Sequence, residues 1–250
     1  MKITIIGSGN VAYHLAKAFV QNGIEVAQIF GRNEEDLQII SNELYLPYAT
    51  KDLAHADLYL IAVNDNAIEQ VSQQITNENS LVAHTSGSLP KEILRGAYRK
   101  ASFYPFQTFS KTKKLNYSEI PFFVEAENEP DTIVLENIAL KISNKVMKMD
   151  YERRKHIHLT GVFACNFVNH LYTIAKEIAD SQNIPFDYFL PLIDETAQKI
   201  HELDPKSAQT GPAVRDDQKV LQLHEKLIEN EQYLKIYKVM TESIKKMYHL

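Results

Sequence analysis

The first 150 residues alternate short apolar runs with segments whose apolar residues recur at helical spacing. The run Ile3–Ile6 ends at Gly7, and residues 10–21 then carry apolar side chains three or four positions apart. The same alternation predicts further strands at 25–30, 57–63, 80–84, 102–104, 121–126 and 146–149, and further helices at 34–44, 67–75 and 131–144. Strands separated by helices of this length indicate a doubly wound, mostly parallel sheet with right-handed crossovers.

From residue 151 onward the pattern is helical almost throughout. Helices are expected over 159–182, 186–203 and 217–247, and prolines or a Gly-Pro pair mark the breaks between them. We therefore predict an α/β protein in two parts, with an α/β domain over residues 1–151 and an all-helical domain over residues 152–250.

Composition narrows the class of protein. The chain of 250 residues is 44% hydrophobic and 24% charged, with a formal net charge of −5. It is therefore globular and lacks the basic surface that nucleic acids and anionic membranes attract. A single cysteine excludes an intrachain disulfide and any multi-cysteine metal centre. No apolar stretch reaches the roughly 20 residues that span a bilayer, and we expect a cytoplasmic protein without a nucleic-acid or membrane partner.

A glycine-rich segment follows the first strand directly and opens the first helix. It has the form G-x-G-x-x-A, made of Gly7, Ser8, Gly9, Asn10, Val11 and Ala12. The first glycine allows a tight turn, the second lets the backbone approach a pyrophosphate, and the alanine lets the helix pack closely on the strand. The free N–H groups and dipole of the helix would then hold the pyrophosphate. The segment predicts a Rossmann-like dinucleotide site; the alternative is a tight turn in a doubly wound fold that has lost its ligand.

The end of the second strand predicts which dinucleotide is bound. Domains that prefer NAD place Asp or Glu there to hold the ribose 2′-hydroxyl, whereas this chain has Arg32 and Asn33 and no acid before Glu34. A guanidinium group holds a 2′-phosphate in a planar, charge-assisted contact. We expect NADP at this position, with NAD as the alternative; an arginine that is simply solvated would explain the same residue.

Two loops at the carboxyl ends of strands supply candidate chemical groups. Val63 and Asn64 end the strand at 57–63 and would border the cofactor, although Asn is also common as a helix cap. His84 and Ser86 follow the next strand. An imidazole and hydroxyls beside a nicotinamide could donate hydrogen bonds to a carbonyl or imine, or relay a proton. The alternative is a polar loop whose serines cap the next element.

The first long helix of the second domain carries a polar row on an otherwise apolar surface. Asn166, Asn169 and His170 are spaced at i, i+3 and i+4 and therefore share one face. Such groups are costly in apolar surroundings unless they bond to one another or face a cleft. They are predicted either to face the substrate or to form a contact between helices or subunits. No metal site is expected, because His156 and His158 have no third ligand at suitable spacing.

The same helix predicts a homodimer, because it has more apolar surface than a peripheral helix needs. The last helix of the chain could cover that surface instead. The apolar residues in question are Val162, Phe163, Val168, Leu171, Ile174 and Ile178.

Five motifs occur in order along nearly the whole chain: GSGNVAYHLA, HTSGS, YPFQTF, HLTGVFACNFVNHLY and TGPAVRDD. They resemble a bacterial family of Rossmann-like proteins with a C-terminal helical domain of unknown function, labelled as NADP-dependent or deazaflavin-dependent oxidoreductases. More distantly, the chain is similar to pyrroline-5-carboxylate reductase, ketopantoate reductase and the β-hydroxyacid dehydrogenases. In those enzymes a nucleotide domain is followed by helices that dimerise and complete the active site.

Two departures separate the chain from those enzymes. The K-x-x-x-N helix pattern of the β-hydroxyacid dehydrogenases is missing, since no lysine precedes Asn166 at the expected place. TGPAVRDD replaces the loop of Thr and Gly residues found in pyrroline-carboxylate reductases.

Residues and resemblance together predict an NADP-dependent oxidoreductase that transfers a hydride between nicotinamide and a small carbonyl or imine compound. Its candidate catalytic residues are His84, Ser86, Asn166, Asn169 and His170. Two alternatives stay open: a non-catalytic dinucleotide-binding sensor or scaffold, and a deazaflavin-dependent reductase.

Overall fold

The structure is a computed structural model that describes all 250 residues. Its strands are β1 Ile3–Ile6, β2 Val26–Phe30, β3 Tyr48–Ala49, β4 Leu58–Ile61, β5 Leu81–His84, β6 Arg99–Pro105, β7 Phe122–Ala126 and β8 Val146–Lys148. They form one sheet in the order β3-β2-β1-β4-β5-β6-β7-β8. Only β6 and β7 pair antiparallel; all other neighbours run parallel. The predicted α/β class with a mostly parallel sheet is confirmed.

Helices cover both faces of this sheet. They are α1 Asn10–Gln21, α2 Glu34–Leu44, α3 Asp65–Ser72 and α4 Glu129–Leu140. Residues of α1, α2 and α4 share one core cluster with β1 and β6, whereas Ile68 of α3 belongs to a second cluster with Val82 of β5. Because both faces are covered, β1, β4 and β5 are buried at every position, and their sequences are apolar except for Thr4 in β1 and His84 in β5.

The register of the parallel strands brings several loops to one edge of the sheet. Ile6 of β1 pairs with Ile61 of β4, Ile61 pairs with His84 of β5, and His84 pairs with Ser102 of β6. The residues that follow β1, β4 and β5 therefore lie side by side. Loops at the carboxyl ends of parallel strands are the usual place for ligands in such sheets.

The remainder of the chain is helical. Its helices are α5 Tyr151–Gly161, α6 Val168–Ser181, α7 Leu190–Lys199, α8 Pro205–Ala208, α9 Gln218–Leu227 and α10 Glu231–Met247. A π-helical segment, Val162–Phe167, separates α5 from α6. The chain forms two compact units, a first unit Met1–Phe163 that includes α5 and a second unit Ala164–Leu250.

Several elements differ from their predicted bounds for local reasons. The helix expected over 217–247 is two helices, because Asn230 caps α10 by accepting the backbone N–H groups of Gln232 and Tyr233. The helix expected over 159–182 is interrupted by the π-helical segment. The strand expected at 102–104 is longer, since β6 pairs with β5 on one side and with β7 on the other. The two-residue strand β3 was not predicted.

Candidate active site

The glycine loop is the turn from β1 into α1, and its two glycines have different roles. Gly7 has a φ of +137°, and a Cβ there would lie 2.2 Å from the carbonyl oxygen of Ala62. Gly9 has a φ of −78°, and a Cβ there would meet no atom within 4 Å. The fold therefore requires glycine at position 7, whereas nothing in the chain itself requires it at position 9. The space beside Gly9 is open, as the approach of a ligand to the backbone demands.

The N-terminus of α1 fits an anion. Gly9 precedes the helix, so no side chain caps it, and its first turn contains no acidic residue. Its first N–H groups and its dipole give this end positive potential. Ser8, Asn10 and Val11 are all at least partly exposed. These properties match the pyrophosphate of a dinucleotide bound along Gly7–Val11.

Arg32 and Asn33, which follow β2, have different surroundings although both are predicted to bind the cofactor. Asn33 caps α2, since its Oδ1 accepts the Asp36 N–H at 3.2 Å and its Nδ2 donates to the Asp36 carboxylate at 2.8 Å. Arg32 is exposed and forms no ion pair within the chain. The free guanidinium fits a 2′-phosphate, whereas the Asn33 side chain is already engaged in the cap.

Val63 and Asn64 lie between β4 and α3 on the same edge of the sheet. Asn64 occupies the N-cap position of α3, but its side chain makes no capping hydrogen bond. Helix capping therefore does not explain why asparagine occurs at this position. The Asn64 amide is exposed beside the glycine loop.

His84 ends β5 and is fully buried. Its Nδ1 accepts the backbone N–H of Ser86 at 3.1 Å, which leaves the ring proton of the neutral form on Nε2. Burial, assisted by the charge of Arg154, lowers the pKa of His84 to about 3. The imidazole is therefore neutral at physiological pH, and its observed contact fixes the shape of the following loop. A catalytic role for it stays a prediction.

Ser86 organises the rest of that loop. Its hydroxyl donates to the Asp65 carboxylate at 2.9 Å and accepts the N–H groups of Ser88 and Leu89. Ser86 thus caps the turn that follows, which is the alternative the sequence left open, and also ties the β5 loop to the start of α3. A catalytic role for Ser86 stays a prediction.

The end of β6 brings together two residues that the sequence did not connect. The Tyr104 hydroxyl and Nδ1 of His158 in α5 lie 3.1 Å apart and share a hydrogen bond. A Cβ on Gly87 would lie 2.5 Å from the Tyr104 ring and 2.9 Å from His158 Nδ1, so glycine lets the β5 loop touch the pair. Burial, with a smaller effect of the Asp65 carboxylate, raises the pKa of Tyr104 to about 12. Tyr104 is nearly buried while His158 is exposed, so the pair connects the loop to solvent.

A buried ion pair holds α5 in this position. Arg154 is fully buried; it donates to the Glu125 carboxylate at 2.6 Å and to the Leu89 carbonyl oxygen at 2.7 Å. Lys91 donates to the other oxygen of Glu125 at 2.6 Å. Because Leu89 follows the β5 loop directly, Arg154 ties α5, and with it His158, to that loop.

The predicted polar row belongs to the second unit. Asn166 lies in the π-helical segment, Asn169 and His170 lie in α6, and all three are exposed. π-helical turns occur often at functional sites, but the substrate-facing role of the row stays a prediction. No group of three or more His, Cys, Asp or Glu side chains is arranged to hold a metal ion. None of the helices combines the length and apolar character needed to cross a membrane.

Comparison with known families agrees with this geometry. Residues 120–244 match the model of a domain of unknown function, DUF2520, and residues 2–86 match the model described as NADP oxidoreductase, coenzyme F420-dependent. A Bacteroides fragilis protein named provisionally as an NADP oxidoreductase is 40% identical, with 98% of each chain covered and a TM-score of 0.93. The chain belongs to this NADP oxidoreductase family with a DUF2520 domain. The predicted family and the NADP cofactor are thereby confirmed.

More distant proteins share the fold or part of the chain. A Thermotoga maritima protein is 23% identical with a TM-score of 0.81, covering 97% of this chain and 99% of its own. Pyrroline-5-carboxylate reductase from Streptococcus pyogenes is 15% identical with a TM-score of 0.60, covering 100% and 99%. Glycerol-3-phosphate dehydrogenase [NAD(P)+] of Staphylococcus aureus is 29% identical over 117 residues, which are 40% of this chain and 35% of that enzyme. The chain thus spans about a third of the length of the curated relatives that it matches.

Sequence reasoning missed Tyr104 and His158 as candidate chemical residues. In the sequence, Tyr104 stands out only as part of the YPFQTF motif, and His158 only as a candidate metal ligand without partners. The two residues are 54 positions apart, and no periodicity connects them. The available signal was the location of Tyr104 at the end of a strand, which places it on the ligand edge of a parallel sheet.

Proposed function

We propose that this oxidoreductase reduces a small carbonyl or imine compound with NADPH. The pyrophosphate would bind along Gly7–Val11, the 2′-phosphate near Arg32, and the nicotinamide beside Asn64 and the β5 loop. The observation that carries the proposal is the Tyr104–His158 pair, which touches that loop at Gly87. It provides a proton donor on the same edge of the sheet as the glycine loop.

Reduction of a carbonyl or imine requires a hydride and a proton. NADPH, when bound, would supply the hydride, and the oxygen or nitrogen of the reduced double bond would then need a proton from the protein. The Tyr104 hydroxyl would give its proton to that atom; burial raises the pKa of Tyr104 to about 12, so the hydroxyl is protonated at neutral pH. The exposed His158 then returns a proton from solvent to the Tyr104 oxygen.

The residues predicted from sequence have supporting roles in this proposal. The β5 loop with His84 and Ser86 would border the nicotinamide, since its contacts hold it in one conformation. Asn166, Asn169 and His170 would bind the polar groups of a small-molecule substrate, because their amides and imidazole are exposed.

The direct test is NADPH oxidation, followed at 340 nm, with a panel of small 2-oxo acids, semialdehydes and cyclic imines. With an active substrate, Tyr104→Phe should lower kcat about 100-fold and leave the Kd for NADPH within about twofold. His158→Gln should lower kcat less and change its pH profile, because the donor loses its route to solvent. Tyr45→Phe is the matched control, since Tyr45 is 92% exposed. Full turnover by Tyr104→Phe would contradict the proposal.

One alternative is supported by a specific observation. The model that matches residues 2–86 is described as coenzyme F420-dependent, and F420 is a deazaflavin. A deazaflavin that competes with NADPH for the protein, and supports turnover where NADPH does not, would favour this alternative. NADPH binding without turnover of any panel compound would favour a sensor or scaffold instead.

We further propose that the chain forms a homodimer through its second unit. The apolar side chains buried in that unit are few: Ile174, Ala179, Ala213 and Leu221. Many others are exposed, among them Ile178, Tyr188, Leu190, Leu192, Ile200, Leu203, Leu223, Leu227, Val239 and Met247. Exposed apolar surface on this scale marks an interaction site, and the resemblance to enzymes that dimerise through this region favours a second copy. Size-exclusion chromatography with light scattering should give a dimer at micromolar concentration; a strict monomer would contradict it.

A further inference from the structure

Lys111 lies at the first turns of both helices that would contact the cofactor. It belongs to the loop between β6 and β7. Its backbone N–H donates to Asn10 Oδ1 in α1 at 3.3 Å, and its ammonium group contacts the Asp36 carboxylate of α2 at 2.5 Å. One residue therefore bridges the predicted pyrophosphate end of α1 and the turn that carries Arg32.

The position of Lys111 is fixed by its neighbours. The preceding carbonyl, of Ser110, lies 2.8 Å from Nε2 of His14, a buried residue of α1. His14 Nδ1 lies 2.8 Å from the Tyr117 hydroxyl at the far end of the same loop, and Phe109 packs against the core beneath α1. The loop is thus attached to α1 on both sides of Lys111.

The negative charges of α2 lie close to the predicted position of the 2′-phosphate. The first turn of α2 contains Glu34, Glu35 and Asp36, and a 2′-phosphate beside Arg32 would be repelled by them. Glu34 and Glu35 are exposed, so solvent and salt screen their charges. Asp36 is only partly exposed, and Lys111 and Asn33 both engage its carboxylate.

We propose that Lys111 is a second cation of the NADP 2′-phosphate site, which acts beside Arg32. Asp36 holds its ammonium group at the turn, Asn10 accepts its backbone N–H, and the ammonium group contacts the phosphate when NADP is bound. Lys111 thereby helps to select NADP over NAD, which lacks this phosphate. The inference rests on the proposed binding of the cofactor along the glycine loop and Arg32.

The test is a set of binding titrations with NADPH, NADH and adenosine 2′,5′-bisphosphate. Lys111→Met should raise the Kd for NADPH and for the bisphosphate about tenfold, because one charge-assisted contact is lost. The Kd for NADH should stay within about twofold of the wild-type value. Lys113→Met is the matched control, because Lys113 lies in the same loop, is exposed and forms no ion pair. It should leave all three affinities unchanged. Equal melting temperatures exclude a folding defect in either variant.

A double variant separates contact from neutralisation. If Lys111 contacts the phosphate, the double variant Lys111→Met with Asp36→Asn should still bind NADPH weakly. If Lys111 only neutralises Asp36, the double variant should bind NADPH as tightly as wild type, and this result would overturn the proposal. An equal loss for NADH and NADPH, as from a contact with the pyrophosphate, would also overturn it. A ratio of NADPH to NADH affinity that is the same in Lys111→Met as in wild type defeats this inference alone. Wild-type protein that binds neither dinucleotide defeats the proposed function as well.

Discussion

The two compact units of this chain differ in how far they bury their apolar side chains. In the first unit, helices cover both faces of the sheet and strands β1, β4 and β5 are buried throughout. In the second unit the helices have apolar stripes, but nearly all of the large apolar side chains are at least partly exposed. The first unit buries its apolar side chains within one chain, whereas the second leaves many of its own exposed. The dinucleotide loop, the β5 loop and the Tyr104–His158 pair all belong to the first unit.

The difference follows from the geometry of the elements. A sheet with a helix layer on each face buries its apolar residues without any partner. Short helices bury one stripe each, and their stability comes mainly from the packing of that stripe. Substitutions in the first unit should therefore be costly within a single chain, and substitutions on the exposed stripes of the second should act mainly on association.

The largest expected effect is at Gly7. Gly7→Ala places a Cβ 2.2 Å from the Ala62 carbonyl oxygen at a φ of +137°, and should lower the free energy of unfolding by about 3 kcal/mol or more. Gly9→Ala is the control, because a Cβ at this position meets no atom within 4 Å. It should lower the free energy of unfolding by less than about 1 kcal/mol. Urea denaturation measures both. Equal stability of the two variants would show that the β1–α1 turn is not packed as described.

The second effect tests the ion pair that holds α5. Glu125→Gln leaves the fully buried Arg154 without its carboxylate, and should lower the free energy of unfolding by about 3 kcal/mol. Glu129→Gln removes an exposed partner of Lys148 and should cost less than about 1 kcal/mol. Chemical denaturation of both variants at pH 7 gives the comparison. A loss as small for Glu125→Gln as for Glu129→Gln would contradict the buried pair.

A third test uses pH. The pKa of His84 is lowered to about 3 in the folded protein, and an unfolded histidine titrates near 6.5. Between these values the unfolded chain binds a proton that the folded chain does not, so His84 favours folding above pH 6.5 and opposes it increasingly as the pH falls towards 3.

His84→Asn removes this titration. The stability of wild type relative to His84→Asn should therefore decrease below pH 6.5 by up to about 1.4 kcal/mol per pH unit. Denaturation curves at pH 7, 6 and 5 measure it, with His156→Asn as the exposed control. Parallel pH profiles for wild type and His84→Asn would mean that the imidazole is not buried in its neutral form.

The smallest effect on the stability of a single chain is expected in the second unit. Leu227 and Val239 are 68% and 65% exposed, so Leu227→Ser with Val239→Ser should change the free energy of unfolding of a monomer by only about 0.5 kcal/mol. If a second copy covers this surface, the same variant should shift the dimer towards monomer in light scattering at micromolar concentration. An unchanged dimer would exclude these two residues from the interface.

Sequence patterns predicted the first unit better than the second. The apolar runs predict the order of strands and helices because the central strands β1, β4 and β5 are buried on both faces. The spacing of the glycine loop is recognisable because it follows from backbone geometry. The cap at Asn230, the π-helical segment and the strand β3 depend on local bonds that leave no periodic signal. The Tyr104–His158 pair and the Lys111 bridge join residues far apart in the chain, so they required the folded structure.

The central claim is that the open backbone at Gly9 binds the pyrophosphate of NADP. The most direct test is a fluorescence titration of wild type and Gly9→Ala with NADPH and NADH, with melting temperatures recorded for both proteins. We predict that wild type binds NADPH more tightly than NADH. Gly9→Ala should have the melting temperature of wild type, but its affinity for NADPH should be at least about tenfold lower. Equal NADPH affinity in the two proteins, or no binding to wild type at millimolar concentration, would contradict the account.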